Sequence, residues 1–406
     1  MMRQITKCEV CGCENIVPVL NLGEHPLCDD LLSIGSDKKC KMYPIEIVFC
    51  NECKTAHQRF QPSKEIIFPE TYHYRAHLTE DVLNGMESLV IACENEYASL
   101  TGKTVLDIGC NDGSLLGIFR RHGANVIGVE PTGAAREAKA QGIEVWQEYF
   151  TPKTALKIKV SYPRIDFITF TNVFAHIENL PELVSAMQIL LDEDTIIVIE
   201  NHYLGSILEK NQFDTFYHEH PRSYSLTSFE FIAKQLQRHI QKVEFPSRYG
   251  GNIRVFLAKQ EGEGSGVSQI LEKEEGFLKD FQHMNTCIEN WKKKKKRQIL
   301  SVVKHYGKLP AKAFPGRAAI LLKLLELDEN QIFAVYEKSG SQKIGNYVPG
   351  TRIPILDEVE FFASQDLQEC PLLNLAWHIH TEIETYMRQH GYTGEIIDIV
   401  SMEDFE

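Results

Sequence analysis

Three clusters in this chain carry residue types at spacings that can do chemistry. The first is sulfur. Cys8 and Cys11 form one C-x-x-C pair, and Cys50 and Cys53 form another. Each pair wraps a tight turn, and four thiolates satisfy a tetrahedral Zn²⁺ with no position left open. The zinc is therefore expected to be structural. The 38 residues between the pairs exceed an ordinary zinc ribbon, so that loop must itself be structured. Cys13 competes with Cys11 as a ligand. The second cluster is Tyr217, His218, Glu219 and His220, followed by Pro221, which fixes a loop. Two imidazoles, a carboxylate and a phenol in four residues suit proton transfer. A metal held by His218 and His220 is the weaker option, since no helical i, i+4 pair supports it. His176 follows a separate apolar run and adds a third imidazole, and Tyr72 and Tyr74 precede the glycine-rich segment.

The third cluster is that glycine-rich segment. Thr104–Ile108 reads as a buried strand, and Gly109, Asn111 and Gly113 follow it into the helical pattern LLGIFRRHG. Glycines there let the backbone approach a ligand closely. The next apolar run ends at Glu130, 21 residues after Gly109. A carboxylate at that place can take both ribose hydroxyls of an adenosine cofactor. The spacing is G-x-N-x-G, and no lysine makes it a P-loop. A nicotinamide enzyme is the competing dinucleotide reading.

These clusters need elements to position them. Apolar runs at Thr104–Ile108, Asn125–Val129, Ile165–Thr171, Thr195–Glu200 and Ile253–Ala258 alternate with helical patterns. That alternation predicts a doubly wound parallel sheet. Its carboxyl edge, where ligands sit in such sheets, would carry His176 and the 217–220 segment. Residues 61–100 show helical periodicity, and 261–266 reads as a flexible break. A long charged helix follows to about 307, with Lys292–Lys296 expected as a solvated face. The last hundred residues read as a second, smaller α/β domain. Trp291 and Trp377 are expected to be packing residues.

The chain has 406 residues, enough for two or three domains. With 43 basic and 56 acidic side chains, its net charge of −13 argues against a general nucleic-acid binder. No apolar run reaches the roughly 20 residues that span a bilayer, and the first residues lack the apolar core of a signal peptide. A cytoplasmic protein with no membrane or nucleic-acid partner is expected. Eleven cysteines in a reducing compartment favour metal binding over disulfides.

The strand, Asp107, Gly109, Asn111 and Gly113 resemble the first motif of class I S-adenosylmethionine (SAM) methyltransferases. That resemblance implies that Asp107, Gly109, Asn111 and Gly113 hold the methionine part of SAM and Glu130 the ribose, with Asn172 also facing the cofactor. Over nearly its whole length the chain is similar to the sugar C-methyltransferases of deoxysugar pathways. The order that carries this is the cysteine quartet, a Tyr-rich helix, the SAM loop, N-V-F-A-H, Y-H-E-H, then Gly250-Gly-Asn-Ile-Arg254, Lys343-Ile-Gly and Val348-Pro-Gly-Thr-Arg-Ile-Pro354.

The resemblance implies an N-terminal zinc-binding domain, a class I Rossmann-like SAM domain and a C-terminal Rossmann-like α/β domain. The expected boundaries are 1–70, 71–260 (with leading helices over 71–100) and 261–406. It also implies a nucleotide-linked 4-keto-deoxysugar as substrate, methylated on the carbon next to the ketone through an enolate. The stretch Lys312-Ala-Phe-Pro-Gly-Arg-Ala-Ala319 departs from the family's small-residue loop at Pro315 and Arg317.

Carbon methylation needs a base, a donor to the enolate oxygen and a dry site. His220 is the expected base, with Glu219 as alternative or as its orienting partner. Tyr217 and His176 are candidate donors to the keto oxygen, and Tyr72 closes the sugar pocket. His218, Arg254, Lys343 and Arg352 are candidate substrate contacts, the last three as phosphate partners. A monomer or weak homo-oligomer is expected. Two other readings remain open here: methyl transfer to a hydroxyl or amine, and a non-catalytic module that binds zinc and SAM.

Overall fold

The computed structural model describes residues 2–405 except 71, 73, 79, 248, 249, 261 and 263–266. The break expected at 261–266 thus lies, Gly262 apart, outside the described residues. The chain divides into two compact units. The first comprises residues 1–18, 48–207 and 219–278; the second comprises 19–47, 208–218 and 279–406.

A seven-stranded sheet organises the first unit. Its strands are β1 (Thr104–Ile108), β2 (Asn125–Val129), β3 (Glu144–Trp146), β4 (Phe167–Thr171), β5 (Ile196–His202), β6 (His239–Glu244) and β7 (Asn252–Ala258). The spatial order is β6-β7-β5-β4-β1-β2-β3. β1 to β5 run parallel, whereas β7 is antiparallel to both β5 and β6. The central runs are rich in Val, Ile and Phe because helices cover both faces and leave no side for water. The order of the strands reverses at β1, with β4 on one side and β2 on the other, so the loops after β1 and β4 diverge and leave a crevice.

Three helices pack on this half of the sheet: α1 (Glu80–Tyr97), α2 (Ser114–Arg121) and α3 (Ala135–Ala140), and α1 lines the crevice with Val82 and Met86. α1 buries Val82, Met86, Leu89, Val90 and Cys93, one stripe at helical spacing. α2 buries Leu115, Leu116, Ile118 and Phe119 and ends on Arg120 and Arg121, which suit the negative end of its dipole. These side chains share one core with Val105, Phe167, Val198 and Phe256 of the sheet. In the same unit, strand Thr55–Gln58, just after the second cysteine pair, runs antiparallel to Arg222–Ser223, just after the Y-H-E-H segment.

The second unit carries a five-stranded parallel sheet: β8 (Leu309–Lys312), β9 (Ile332–Glu337), β10 (Ile355–Asp357), β11 (Leu372–Asn374) and β12 (Ile396–Asp398), ordered β10-β9-β8-β11-β12. Ala334, Tyr336, Phe361, Leu372, Met387 and Tyr392 form its core. Trp291, wholly buried on the helix Phe277–Tyr306, donates a hydrogen bond from Nε1 to the Ile399 carbonyl at 2.9 Å.

The lysine run departs from the expected solvated face at Lys295. Lys295 is 3% exposed and pairs with buried Asp404 at 3.0 Å, and Lys294 donates to the Glu403 carbonyl at 2.6 Å. The helix spends this charge on docking the C-terminal segment. Asp404→Ala, which strands the Lys295 ammonium, should lower unfolding free energy by roughly 3–5 kcal/mol in urea melts. Lys293→Ala, on the exposed side of the same helix, should change it by less than about 0.5 kcal/mol.

Candidate active site

An open cavity, about 1240 Å³ with the solvent at its mouth included, lies in the first unit at the carboxyl ends of β1, β2 and β4. Asp107, Gly109, Asn111, Glu130 and Asn172 line it, together with Tyr72 and His176. Gly109 has φ +73°, and a Cβ there would stand 2.4 Å from Val173 Cγ2. Only glycine fits, and it leaves bare backbone facing the cavity. Asn111 takes φ +50°, and its amide donates to Glu130 Oε2 at 3.0 Å while the Thr132 amide donates to Oε1 at 2.8 Å. A carboxylate offers about four acceptor positions, so Glu130 keeps capacity for two hydroxyl groups. Gly113 does not line the cavity. It sits at the N-cap of α2 with φ +82°, where a Cβ would meet Ile143 Cδ1 at 2.7 Å.

Asp107 is buried at the end of β1 and accepts a hydrogen bond from Thr169 Oγ1 at 2.7 Å. Burial pushes its carboxyl up to about 7, outweighing that bond, and Glu130 adds to the rise. A cationic ligand would relieve this cost. Asn172 has φ +53°; its backbone N–H donates to the Glu200 carbonyl at 2.8 Å, and Asn252 Nδ2 donates to its Oδ1 at 3.3 Å. Phe68, Tyr74, Tyr149 and Phe150 complete the walls with aromatic surface. Carboxylates for hydroxyl and ammonium groups, bare backbone and flat apolar walls form a donor set that fits SAM.

The acid–base residues meet this cavity through its wall. Tyr72 Oη donates to Glu219 Oε2 at 2.9 Å. His176 stacks on Phe68, with centroids 5.2 Å apart and planes 11° from parallel. Its ring centroid lies 4.9 Å from that of His220, which is 5.5 Å from His202. Glu219 and His220 are outside the cavity lining, yet each touches a residue that lines it. His176 is half-buried on the cavity wall, and burial lowers it to about 4, so the ring is neutral at physiological pH. Phe68 and His202 are absent from the sequence expectations. His202 had a readable signal: it ends β5 on the carboxyl edge.

The four expected thiols converge. The Sγ atoms of Cys8, Cys11, Cys50 and Cys53 all lie within 4.8 Å of one another, with 3.3 Å between Cys8 and Cys53 and 3.5 Å between Cys11 and Cys50. Tetrahedral zinc holds sulfurs about 3.8 Å apart, so the set fits that ion with no fifth ligand needed. Cys13 lies outside the cluster and points its Sγ at the Asn15 carbonyl at 3.9 Å.

Comparison with known proteins agrees with this arrangement. Residues 8–68 match the family described as "Putative zinc binding domain", 85–238 match "Methyltransferase domain", and 247–398 match "C-methyltransferase C-terminal domain". The C-methyltransferase NovU of Streptomyces niveus is 26% identical over 392 residues, which cover 94% of this chain and 92% of the relative. The chain is a SAM-dependent C-methyltransferase. Its cofactors are SAM and structural zinc. Solved structures similar to it include the magnesium protoporphyrin IX methyltransferase ChlM of Synechocystis PCC 6803 with bound SAM, at 15% identity, TM-score 0.33, over 44% of this chain and 80% of that one. Another is a SAM-dependent methyltransferase of Archaeoglobus fulgidus, at 18% identity, TM-score 0.35, over 45% and 98%.

Several expected substrate contacts in the C-methyltransferase have other work. Arg254, expected at a phosphate, is 1% exposed on β7; it donates from Nε to Glu200 at 2.7 Å and from Nη1 to Glu244 at 2.8 Å. An arginine in an apolar strand run must find partners in the sheet, and it does. Tyr217 and His218 belong to the second unit. There His218 is buried, its Nε2 3.2 Å from the Tyr43 carbonyl, and burial lowers it to about 4. In the same unit Lys343 donates to the Phe314 carbonyl at 2.6 Å, and Arg352 to the Ser36 and Lys38 carbonyls at 2.6 and 2.8 Å. These three side chains bond backbone carbonyls of their own unit.

Two tests follow for the C-methyltransferase. Cys50→Ser and Cys53→Ser should each lose the metal and several kcal/mol of stability, since metal binding is folding free energy here; zinc content and melting temperature report both, and a retained ion would contradict the assignment. Asp107 has a folded pKa near 7, above its unfolded value near 4. Between those values the folded state binds the extra proton, so stability falls as pH rises from about 4 to about 7. Asp107→Asn should flatten that part of the melting curve against pH, and an unchanged slope would contradict it.

Proposed function

We propose that the enzyme methylates the carbon beside the ketone of a nucleotide-linked 4-keto-6-deoxy sugar. The observation that carries this reading is the contact of Glu219 with Tyr72 and of His220 with His176, two residues that line the cofactor cavity. A carbon next to a ketone is not a nucleophile until it loses a proton. Bound SAM supplies an electrophilic methyl group and no base, so the chain must take that proton.

His220 is the base in this reading, with Glu219 as its orienting group or its substitute. Imidazole titrates near working pH, which suits it to the task. Tyr72, a phenol, and neutral His176 can each donate to the developing enolate oxygen. Phe68 and the buried rings exclude water, which would otherwise reprotonate the enolate. Asp107, Gly109, Asn111, Glu130 and Asn172 hold the cofactor, with Gly113 setting α2 behind them.

The sugar and its nucleotide are supported by the order of motifs along the chain, from the cysteine quartet through Y-H-E-H to the last α/β segment. We read three domains, 1–70, 71–260 and 261–406, working as a monomer or weak homo-oligomer in the cytoplasm, where nucleotide sugars are made. Among the described residues no helix is long and apolar enough to cross a membrane.

The test is hydrogen exchange at carbon. Nucleoside diphosphate 4-keto-6-deoxyhexoses, thymidine- and cytidine-linked, are incubated in heavy water with enzyme and S-adenosylhomocysteine (SAH), and the hydrogen beside the ketone is followed by NMR. Enzyme-dependent exchange is expected, falling roughly 10²–10⁴-fold in His220→Asn or Glu219→Gln while SAH still binds. Methyl transfer to a sugar hydroxyl without exchange, or full exchange in both variants, would overturn the proposal.

A further inference from the structure

Arg222 lies two residues past His220 and is wholly buried. All three nitrogens of its guanidinium are engaged. Nε donates to Tyr224 Oη at 2.8 Å, Nη1 donates to Glu9 Oε2 at 2.5 Å and to the Glu178 carbonyl at 3.3 Å, and Nη2 donates to the Ile177 carbonyl. These partners come from three places. Glu9 lies inside the first C-x-x-C turn, between Cys8 and Cys11. Ile177 and Glu178 directly follow His176. Tyr224 belongs to the segment that carries His220.

The backbone repeats the connection. Gln58 N–H donates to the Pro221 carbonyl at 2.9 Å, and His57 pairs in register with Arg222. His57 itself has Nε2 3.3 Å from Cys8 Sγ. The zinc turn, the His176 loop and the His220 loop therefore converge on one side chain, and the two imidazole rings stand 4.9 Å apart next to it.

A buried ion pair is weak evidence for stability, because apolar residues of equal volume often stabilise as well. What a guanidinium provides that they lack is a rigid fork with fixed directions. We propose that Arg222 is a positioning residue for the proton transfer: it ties the His176 and His220 loops to the zinc turn through Glu9 and so fixes the separation of the two imidazoles. This rests on the reading of Glu219 and His220 as the acid–base pair. The zinc, remote in role from the chemistry, then governs its geometry.

The experiment compares Arg222→Met, Arg222→Lys and Glu9→Gln in the full-length enzyme. It follows the carbon-bound hydrogen exchange of the fastest-exchanging keto sugar of the panel above, resolved into kcat and KM, with SAH affinity by calorimetry and zinc content alongside. Arg222→Met should keep its zinc, hold SAH within about threefold, and lose roughly 10²-fold in kcat, as expected for reacting groups misplaced by about an ångström. Arg222→Lys should recover part of that loss. Combined with His176→Asn, Arg222→Lys should cost less than it does alone, because the geometry it sets is already gone. If Arg222→Met does not fold, Arg222→Lys and Glu9→Gln carry the same comparison.

Unchanged kcat in the folded variants, or strictly additive effects with His176→Asn, would overturn the proposal. If His220→Asn and Glu219→Gln are themselves silent, the acid–base reading fails and this inference with it. If they are impaired while the Arg222 variants are not, this inference alone fails.

Discussion

The hydrogen bond from Tyr72 to Glu219 joins positions 147 residues apart and brings a carboxylate to the wall of the cofactor cavity. Everything else about the first unit can be read as the means of making that meeting possible. Tyr72 belongs to the segment before α1, which Asn111 holds at both ends of its amide: Nδ2 donates to the Tyr74 carbonyl and Oδ1 accepts from the Ala76 N–H. Arg75 adds bonds to the Tyr72 and Tyr74 carbonyls at 2.8 Å each and to Glu137 of α3 at 2.5 Å. Asn111, which lines the cavity, thus also holds the segment that carries Tyr72.

The parallel sheet explains why so few residues suffice. β1, β2, β4 and β5 all end on one edge, so each contributes one polar group there: Asp107, Glu130, Asn172 and His202. Antiparallel β7 carries an internal charge beside β5, where Glu200 accepts from Arg254 Nε and from Asn252 Nδ2. Asn252 then reaches Asn172 at the cavity. Buried polar groups of this kind carry a high desolvation cost unless every member is paired, and here the pairing also orients a cavity residue.

Much of this was readable from residue types. The runs at 104–108 and 125–129 coincide with β1 and β2, and the runs for β4, β5 and β7 differ only at their ends. The glycine-rich loop was legible because positive φ and close approach admit few residues. The short edge strand β3 and the charged β6 were not, since three residues and a polar pattern leave little periodicity to read. In the site, local spacing identified the thiols and the imidazoles. What spacing could not reveal was pairing across long separations: Glu9 with Arg222, 213 residues apart, or Phe68 under His176. The role expected for Arg254 failed for the same reason, because its partners Glu200 and Glu244 become neighbours only once β5 and β6 align on either side of β7. Lys295 shows the limit of charge patterning, since one lysine of a basic run can be the buried one.

The central claim is the proposal that His220 or Glu219 takes the proton from the substrate carbon that then receives the cofactor's methyl group. A crystal structure of the enzyme with SAH and an exchanging keto sugar tests it directly. The account predicts the carbon beside the ketone facing the sulfur, with its proton within hydrogen-bond reach of a Glu219 carboxylate oxygen or a His220 ring nitrogen. A sugar bound with its ketone turned to bulk water, and neither side chain near that carbon, would contradict it.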